Sequence, residues 1–350
     1  MTNLNAPCPL KVGHELGHVQ HVHPDVVHIP GGFQGYPYWM VFTPYPFAND
    51  RWENPVVRVS QDGYRWERFP ELADPVVPPP SDAHYHHADT ELVYAEGVLY
   101  LVYMTARKGT GETVFSVIQT TTGSQWSHPQ AFQSGRFEAC PSLVVEGRQW
   151  KMWMVTLDPT AQEEGSKIYV RSGADLFHLD RPETCSLDIP GHVPWHVDVQ
   201  PTGSGYEMLV AAFPEGSDNS RTRLFLLHSG DGRSFVLNPR RPLLKPSIWR
   251  WDNRMIYRSC FLKAPDGQYR IWYSAASWSL RFGLGYLEGP LGDLRPSARC
   301  ETACLSFWHD VIPGFSKWSR FWFKRCMPDF VVRMVKFILS ALRTQTESGK

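Results

Sequence analysis

Five stretches of this 350-residue chain repeat one layout: a strand with a polar or charged residue near its start, a Gly turn, an aromatic-rich return strand and a third strand. In the fullest copies the third strand runs into Ser-x-Asp-Gly-x-x-aromatic, as from Ser60 to Trp66 and from Ser229 to Phe235. Composition agrees, with 13% aromatic residues, 14 Trp, 27 Gly and 29 Pro, the mix that short strands and tight turns require. Several short strands in each of five units of roughly 50–60 residues predict an all-β fold, a five-bladed β-propeller. A two-sheet sandwich would need no such repeat.

The units begin at His23-Pro24-Asp25, His87-Ala88-Asp89, Phe137-Glu138-Ala139, Trp195-His196-Val197-Asp198 and Tyr257-Arg258-Ser259. Each Asp-Gly supplies the positive-φ residue of a tight hairpin, and the aromatic after it can pack between neighbouring units. The predicted organisation is an N-terminal segment (1–20), the propeller (21–296) and a C-terminal helical extension (297–350).

The first strand of each blade lines a propeller's central channel. Asp25, Asp89, Glu138, His196 with Asp198, and Arg258 are therefore expected to converge on one mouth. Glu91, two residues beyond Asp89, falls on the same strand face but deeper, as a structural partner. Carboxylates clustered in a funnel raise one another's pKa. Dividing them into one protonated and one ionised member is what glycoside hydrolysis uses.

The order Asp, Asp, Glu on the first strands of blades one to three resembles the five-bladed glycoside hydrolase superfamily of families 43, 62, 32 and 68, nearest to family 43. The resemblance spans residues 20 to 295. It implies Asp25 as base (or nucleophile), Asp89 as modulator and Glu138, in Phe137-Glu138-Ala139-Cys140-Pro141, as general acid. Blade one lacks the Asn-Asp-Pro-Asn-Gly signature of fructan enzymes, and Thr90 rather than Pro follows Asp89. A furanoside or xyloside-type substrate is thus favoured over sucrose or fructan. A non-catalytic sugar-binding propeller, or a transferase or phosphorylase using the same site, are the alternatives.

Substrate contacts are expected from His87, Trp195, His196, Asp198 and Arg258, and from Glu53 and Asn54 in the loop after Tyr45-Pro46-Phe47. His84, His86 and His87 are read together as a substrate loop, and Trp195 and Trp249 to Trp251 as stacking faces or inter-blade packing. No cofactor is required by this chemistry. Some family-43 relatives hold a calcium or sodium ion beside a channel histidine, which implies His196 here; a simple hydrogen bond is the other reading.

Lys plus Arg equals Asp plus Glu at 35 each, so no charge excess argues for nucleic acid, and the expected partner is an oligo- or polysaccharide. The seven cysteines lack framework spacing and read as reduced thiols. No signal-like segment opens the sequence, so a cytoplasmic location is expected. Beyond Ser297, Phe315, Trp318, Phe321, Trp322 and Phe323 precede an apolar run from Phe330 to Arg343, with seven Lys/Arg against one acid between Ser316 and Arg343. Residues 315–343 are expected to form a basic, aromatic helix, docked on the propeller or a second copy, or lying on a membrane face and handling lipid-linked sugar.

Overall fold

The computed structural model describes residues 5–13, 20–157, 166–248 and 250–297. Among these the chain is all-β apart from three single 3-10 turns. Blade one holds β1 (His21–Phe33), β2 (Tyr36–Pro44) and β3 (Val56–Ser60), with a single bridge from Val59 to Glu67 in the fourth place. Blade two is β4 (Tyr85–Ala95), β5 (Val98–Arg107), β6 (Glu112–Thr120) and β7 (Gln130–Arg136). Blade three is β8 (Glu138–Glu146), β9 (Gln149–Thr156), β10 (Lys167–Gly173) and β11 (Glu183–Asp188). Blade four is β12 (His192–Thr202), β13 (Gly205–Pro214), β14 (Arg223–Ser229) and β15 (Ser234–Leu237). Blade five is β16 (Met255–Lys263), β17 (Gln268–Ala276), β18 (Phe282–Pro290) and β19 (Arg295–Pro296).

Strands within each blade are antiparallel, while β11 and β15 pair in parallel and join blades three and four into one eight-stranded sheet. The innermost strands touch in a closed ring, β1 to β4 to β8 to β12 to β16 and back to β1. The predicted five-bladed propeller is the fold. Its proposed C-terminal helical extension lies outside the described residues, as does Trp249. Among the described residues no helix is long and apolar enough to cross a membrane, and Cys140, Cys185 and Cys260 are buried free thiols.

Each blade is sandwiched between two others, so its inner strands are buried on both faces and lose polar alternation. Trp39 to Phe42 in β2 and Met152 to Val155 in β9 are such runs, all essentially inaccessible. The Asp-Gly turns seat these Trp side chains across blade boundaries. Trp272 of β17 donates its indole N–H to the carbonyl of Gly63 at 2.9 Å, and Trp153 of β9 does the same to Gly232 at 2.9 Å. Gly63 has φ +74° and a Cβ there would meet Trp272 at 3.3 Å, so glycine is required both for the turn and for the approach. Truncating either Trp removes a fully buried aromatic, a change that costs about 3–5 kcal/mol.

Residues 5–13, read as outside the propeller, are part of its closure. Leu10 N donates to Leu284 O (2.6 Å) and Ala6 N to Tyr273 Oη (2.8 Å) on blade five, while Arg58 Nε of blade one donates to Gly13 O (2.8 Å).

One irregularity decides what the channel presents. Every innermost strand carries a register shift near its N-terminal end. In β1, Val22 pairs with Thr43 and Asp25 with Val41, so His23 and Pro24 face one partner residue. In β4 the extra pair is Asp89 and Thr90, and in β8 it is Cys140 and Pro141. His23, Asp89 and Cys140 all have positive φ, between 48° and 56°, a costly conformation for a residue with a side chain. The position matching Asp89 in blade one is therefore His23, not Asp25, and in blade three it is Cys140, not Glu138.

Candidate active site

The bulges split the channel into two layers. In the upper layer His23, Asp89 and His196 converge, each offering a nitrogen or oxygen within 4.8 Å of the others. They lie on the wall of a cavity of about 230 Å³ that also touches Tyr45, Asp50, Glu53, His86, Ala88, Met104, Ala139, Cys140, Leu157, Trp195 and Tyr257. His23 Nε2 is 3.4 Å from Asp89 Oδ1, and its Nδ1 is 3.4 Å from Glu53 Oε1 and 3.1 Å from Thr43 Oγ1. His196 stacks at an angle on Tyr257, ring centres 4.4 Å apart, and its Nδ1 is buried with no hydrogen-bond partner. His86 Nδ1 is likewise buried and unpartnered.

Burial pushes His23 down to about 4, although Asp89 opposes it, and pushes His196 well below the usual imidazole value. Both rings are neutral at pH 7 and offer lone pairs. Burial alone would raise Asp89, but His23, Arg258, His196 and the Cys140 N–H together bring it to about 2. Burial, helped by Asp89 and Asp50, holds Glu53 well above the ordinary carboxylate range. The proton affinities of two carboxylates on one wall are thus pushed in opposite directions by their surroundings.

The lower layer is different in kind. Asp25 Oδ2 accepts from Leu92 N (2.6 Å), Glu91 Oε1 from Leu143 N (2.8 Å), Ser142 Oγ from Val199 N (2.8 Å) and Asp198 Oδ2 from Phe261 N (2.9 Å). Each side chain on one innermost strand thereby ties down an amide on the next, linking blades one to five in turn. Arg258 joins the layers, its Nη2 on Glu91 Oε2 (2.7 Å) and Pro141 O (2.8 Å), its Nη1 3.6 Å from Asp89. Burial raises Asp25 to about 6, and burial with Asp25 beside it raises Asp198 to about 8.

The expected trio is not brought together. Asp89 reaches the cavity, whereas Asp25 sits in the lower layer and is absent from the cavity wall. Glu138 is also off that wall, accepting from Gln133 Nε2 at 2.6 Å with Arg171 3.8 Å away. The physical reason is the inserted residue, which advances the strand's alternation so that matching sequence offsets no longer mean matching depth. Of the expected substrate contacts, Trp195, His196 and Glu53 line the cavity. Asp198 and Arg258 lie below it, and Asn54 is turned back onto Arg51 O. His87 is held by Thr105 Oγ1 and Pro78 O while its neighbour His86 lines the cavity; His84 is exposed.

Sequence reasoning treated His23 as part of the Asp25 motif and missed Tyr257. Cys140, which follows Glu138 in the expected general-acid motif, seats Asp89: its N–H donates to Asp89 Oδ2 at 3.1 Å. A signal for Glu53 was present in blade one, in the polar and aromatic loop that holds two 3-10 turns, Pro46–Ala48 and Asp50–Trp52.

No family profile matches this sequence. It is similar to the A type blood N-acetyl-alpha-D-galactosamine deacetylase of Flavonifractor plautii, at 26% identity over 309 residues, covering 73% of this chain. The chain spans only 40% of that relative's length. Among solved structures it is similar to an N-acetylgalactosamine deacetylase from F. plautii in complex with blood group B trisaccharide, with TM-score 0.70, 22% identity, and coverage of 82% of this chain and 94% of the other. A thermostable family-43 glycoside hydrolase superposes with TM-score 0.58 at 13% identity over 80% of this chain and 93% of the other. An exo-1,5-alpha-L-arabinanase from a bovine ruminal metagenomic library gives 0.56 at 11%, covering 82% and 100%. The chain has the propeller fold shared by family-43 glycoside hydrolases and this deacetylase.

Proposed function

We propose that the chain is a metal-assisted amide hydrolase acting on an N-acylated sugar, releasing a short carboxylate and an amino sugar. The observation that carries this reading is the convergence of His23, Asp89 and His196 beside a buried Glu53, with an unpartnered imidazole nitrogen on His196. The similarity to an N-acetylgalactosamine deacetylase supports it.

Two neutral imidazoles and one ionised carboxylate form a donor set for a first-row divalent ion such as zinc or manganese, better matched to it than to the calcium or sodium expected from His196 alone. Bound there, such an ion supplies Lewis acidity to the acyl carbonyl oxygen. His23 Nδ1 accepts the Asp89 backbone N–H at 3.3 Å, and Glu53 Oε1 stands 3.4 Å from the same nitrogen, at the edge of the donor set. Glu53, whose ionised form the positive charge of a bound ion would favour, then takes a proton from the attacking water as the new C–O bond forms. It passes that proton to the sugar nitrogen as the C–N bond breaks, and its raised affinity for protons suits both steps. Trp195, Tyr45 and Tyr257 offer aromatic faces to a sugar ring.

The test is proton NMR of the purified chain with a p-nitrophenyl N-acetylhexosaminide panel, before and after chelation and zinc or manganese readdition. Metal-dependent release of acetate is expected. Release of p-nitrophenol or a reducing sugar instead would favour glycoside hydrolysis, a second reading that rests on the opposite protonation of Glu53 and Asp89. Asp25→Asn and Glu138→Gln, assayed in parallel, separate that second reading from the trio implied by the sequence resemblance.

A further inference from the structure

The cavity has two unlike walls. On the side of blades one, four and five stand Tyr45, Asp50, Glu53, Trp195 and Tyr257, all carrying polar groups or aromatic faces, and His86 of blade two lines the cavity as well. On the side of blades two and three stand Ala88, Met104, Ala139, Cys140 and Leu157. Ala88, Met104, Ala139 and Cys140 belong to one buried core cluster that also holds Phe115 and Val155, both fully buried, and Leu157 packs against it. Ala88 pairs across the strands with Met104, and Ala139 with Val155. The wall is continuous with the catalytic layer, because Ala88 immediately precedes Asp89.

This second wall cannot serve a sugar ring. Within the patch formed by Ala88, Met104, Ala139, Cys140 and Leu157 the one polar group, the Cys140 thiol, is already directed at Trp195 O (3.3 Å) and Asp89 (3.6 Å), so ring hydroxyls laid against it would lose their water partners without replacement, a costly exchange. A methyl group loses nothing there and gains burial. The two alanines leave space directly beside the ligand cluster, and Met104, 6% exposed, closes that space from behind.

We propose that Ala88, Ala139, Met104 and Leu157 form the acyl-recognition wall of this site, holding the methyl end of a short N-acyl group and refusing longer chains. The inference rests on the amide-hydrolase reading and adds the orientation of the substrate: acyl group toward blades two and three, sugar ring toward Tyr45, Trp195 and Tyr257. Met104 sets the length limit, since it is the deepest removable side chain of the wall. The two alanines set the width.

The experiment compares one amino-sugar glycoside carrying N-formyl, N-acetyl, N-propionyl or N-butyryl groups, by kcat/KM and by calorimetric binding to the zinc-loaded enzyme. Wild type is expected to prefer acetyl over butyryl by tenfold or more, since each methylene that an apolar pocket accepts or refuses is worth about 10–200-fold. Met104→Ala is expected to shift the butyryl-to-acetyl ratio by about tenfold or more toward butyryl. Ala139→Leu is expected to abolish acetyl turnover while N-formyl turnover survives. Unchanged acyl preference in Met104→Ala, with acetate release intact in wild type, overturns the wall and leaves the amide-hydrolase reading standing. Absence of acetate release from wild type overturns that reading; the binding arm then still decides the wall, because N-acetyl over N-butyryl selectivity that Met104→Ala reverses supports it and indifference to chain length refutes it.

Discussion

The upper and lower layers of the channel are built from the same innermost strands, two residues apart, and they do opposite things with acidic side chains. Above, Asp89 is ionised, faces a cavity and stands among two neutral histidines and an unpartnered nitrogen. Below, Asp25, Glu91 and Asp198 are sealed, hold raised pKa values and each accept an amide from the next blade. A buried carboxylate is evidence of chemistry only when something is left for it to bind. The lower acids have their hydrogen bonds already, so they fasten the ring; the upper groups keep unused capacity.

The comparison breaks most readily at the upper layer. His196→Ala or Asp89→Asn should lower metal-dependent acetate release by at least about 10³-fold, taking the upper part of the range seen when a key group is lost, with loss of bound zinc measured by atomic absorption. Glu53→Gln should lower kcat by about 10²–10⁴-fold while zinc content is retained, as expected for a proton-transferring group. Retained turnover in either would move the chemistry elsewhere.

The lower layer should answer in stability instead. Arg258→Met leaves Glu91 without its buried cation and should cost about 3–5 kcal/mol in urea unfolding. Asp25→Ala orphans the buried Leu92 N–H and should cost about 1–3 kcal/mol, with kcat/KM of the folded fraction unaffected; a parallel collapse of kcat/KM at unchanged stability would make Asp25 catalytic after all.

The lower layer also makes stability depend on pH. Asp25 at about 6 and Asp198 at about 8 in the folded chain lie above the unfolded carboxylate value of about 4. Between those limits the folded state binds more protons than the unfolded one, so stability falls as pH rises and levels off above about 8. Urea midpoints of the chelated protein at pH 5 and pH 9 check this, and Asp198→Asn should flatten the slope.

Much of the architecture was legible because it is written in local chemistry. Ser-x-Asp-Gly turns, their glycines at positive φ, and apolar Trp-rich middle strands each depend on residues close together in the chain. Convergence of the first strands follows from the repeat, and it drew attention to Asp89, His196 and the Glu53 loop. Depth within the channel was not legible. An inserted residue with positive φ at His23, Asp89 or Cys140 leaves little mark in sequence, because even Asp and His, which enter the left-handed region more readily than most side chains, do so in only a small minority of cases; the crowding of five strands around one axis imposes it.

The sequence by itself therefore determined the five blades, their turns and the presence of acids and histidines at the channel. Tertiary structure alone decided that His23 rather than Asp25 shares the mouth with Asp89, and that Glu138 stands aside. The reason is that a strand's alternation survives only while its register does. Each bulge breaks that register where the blades converge, and only the assembled ring shows which side chain then faces the cavity.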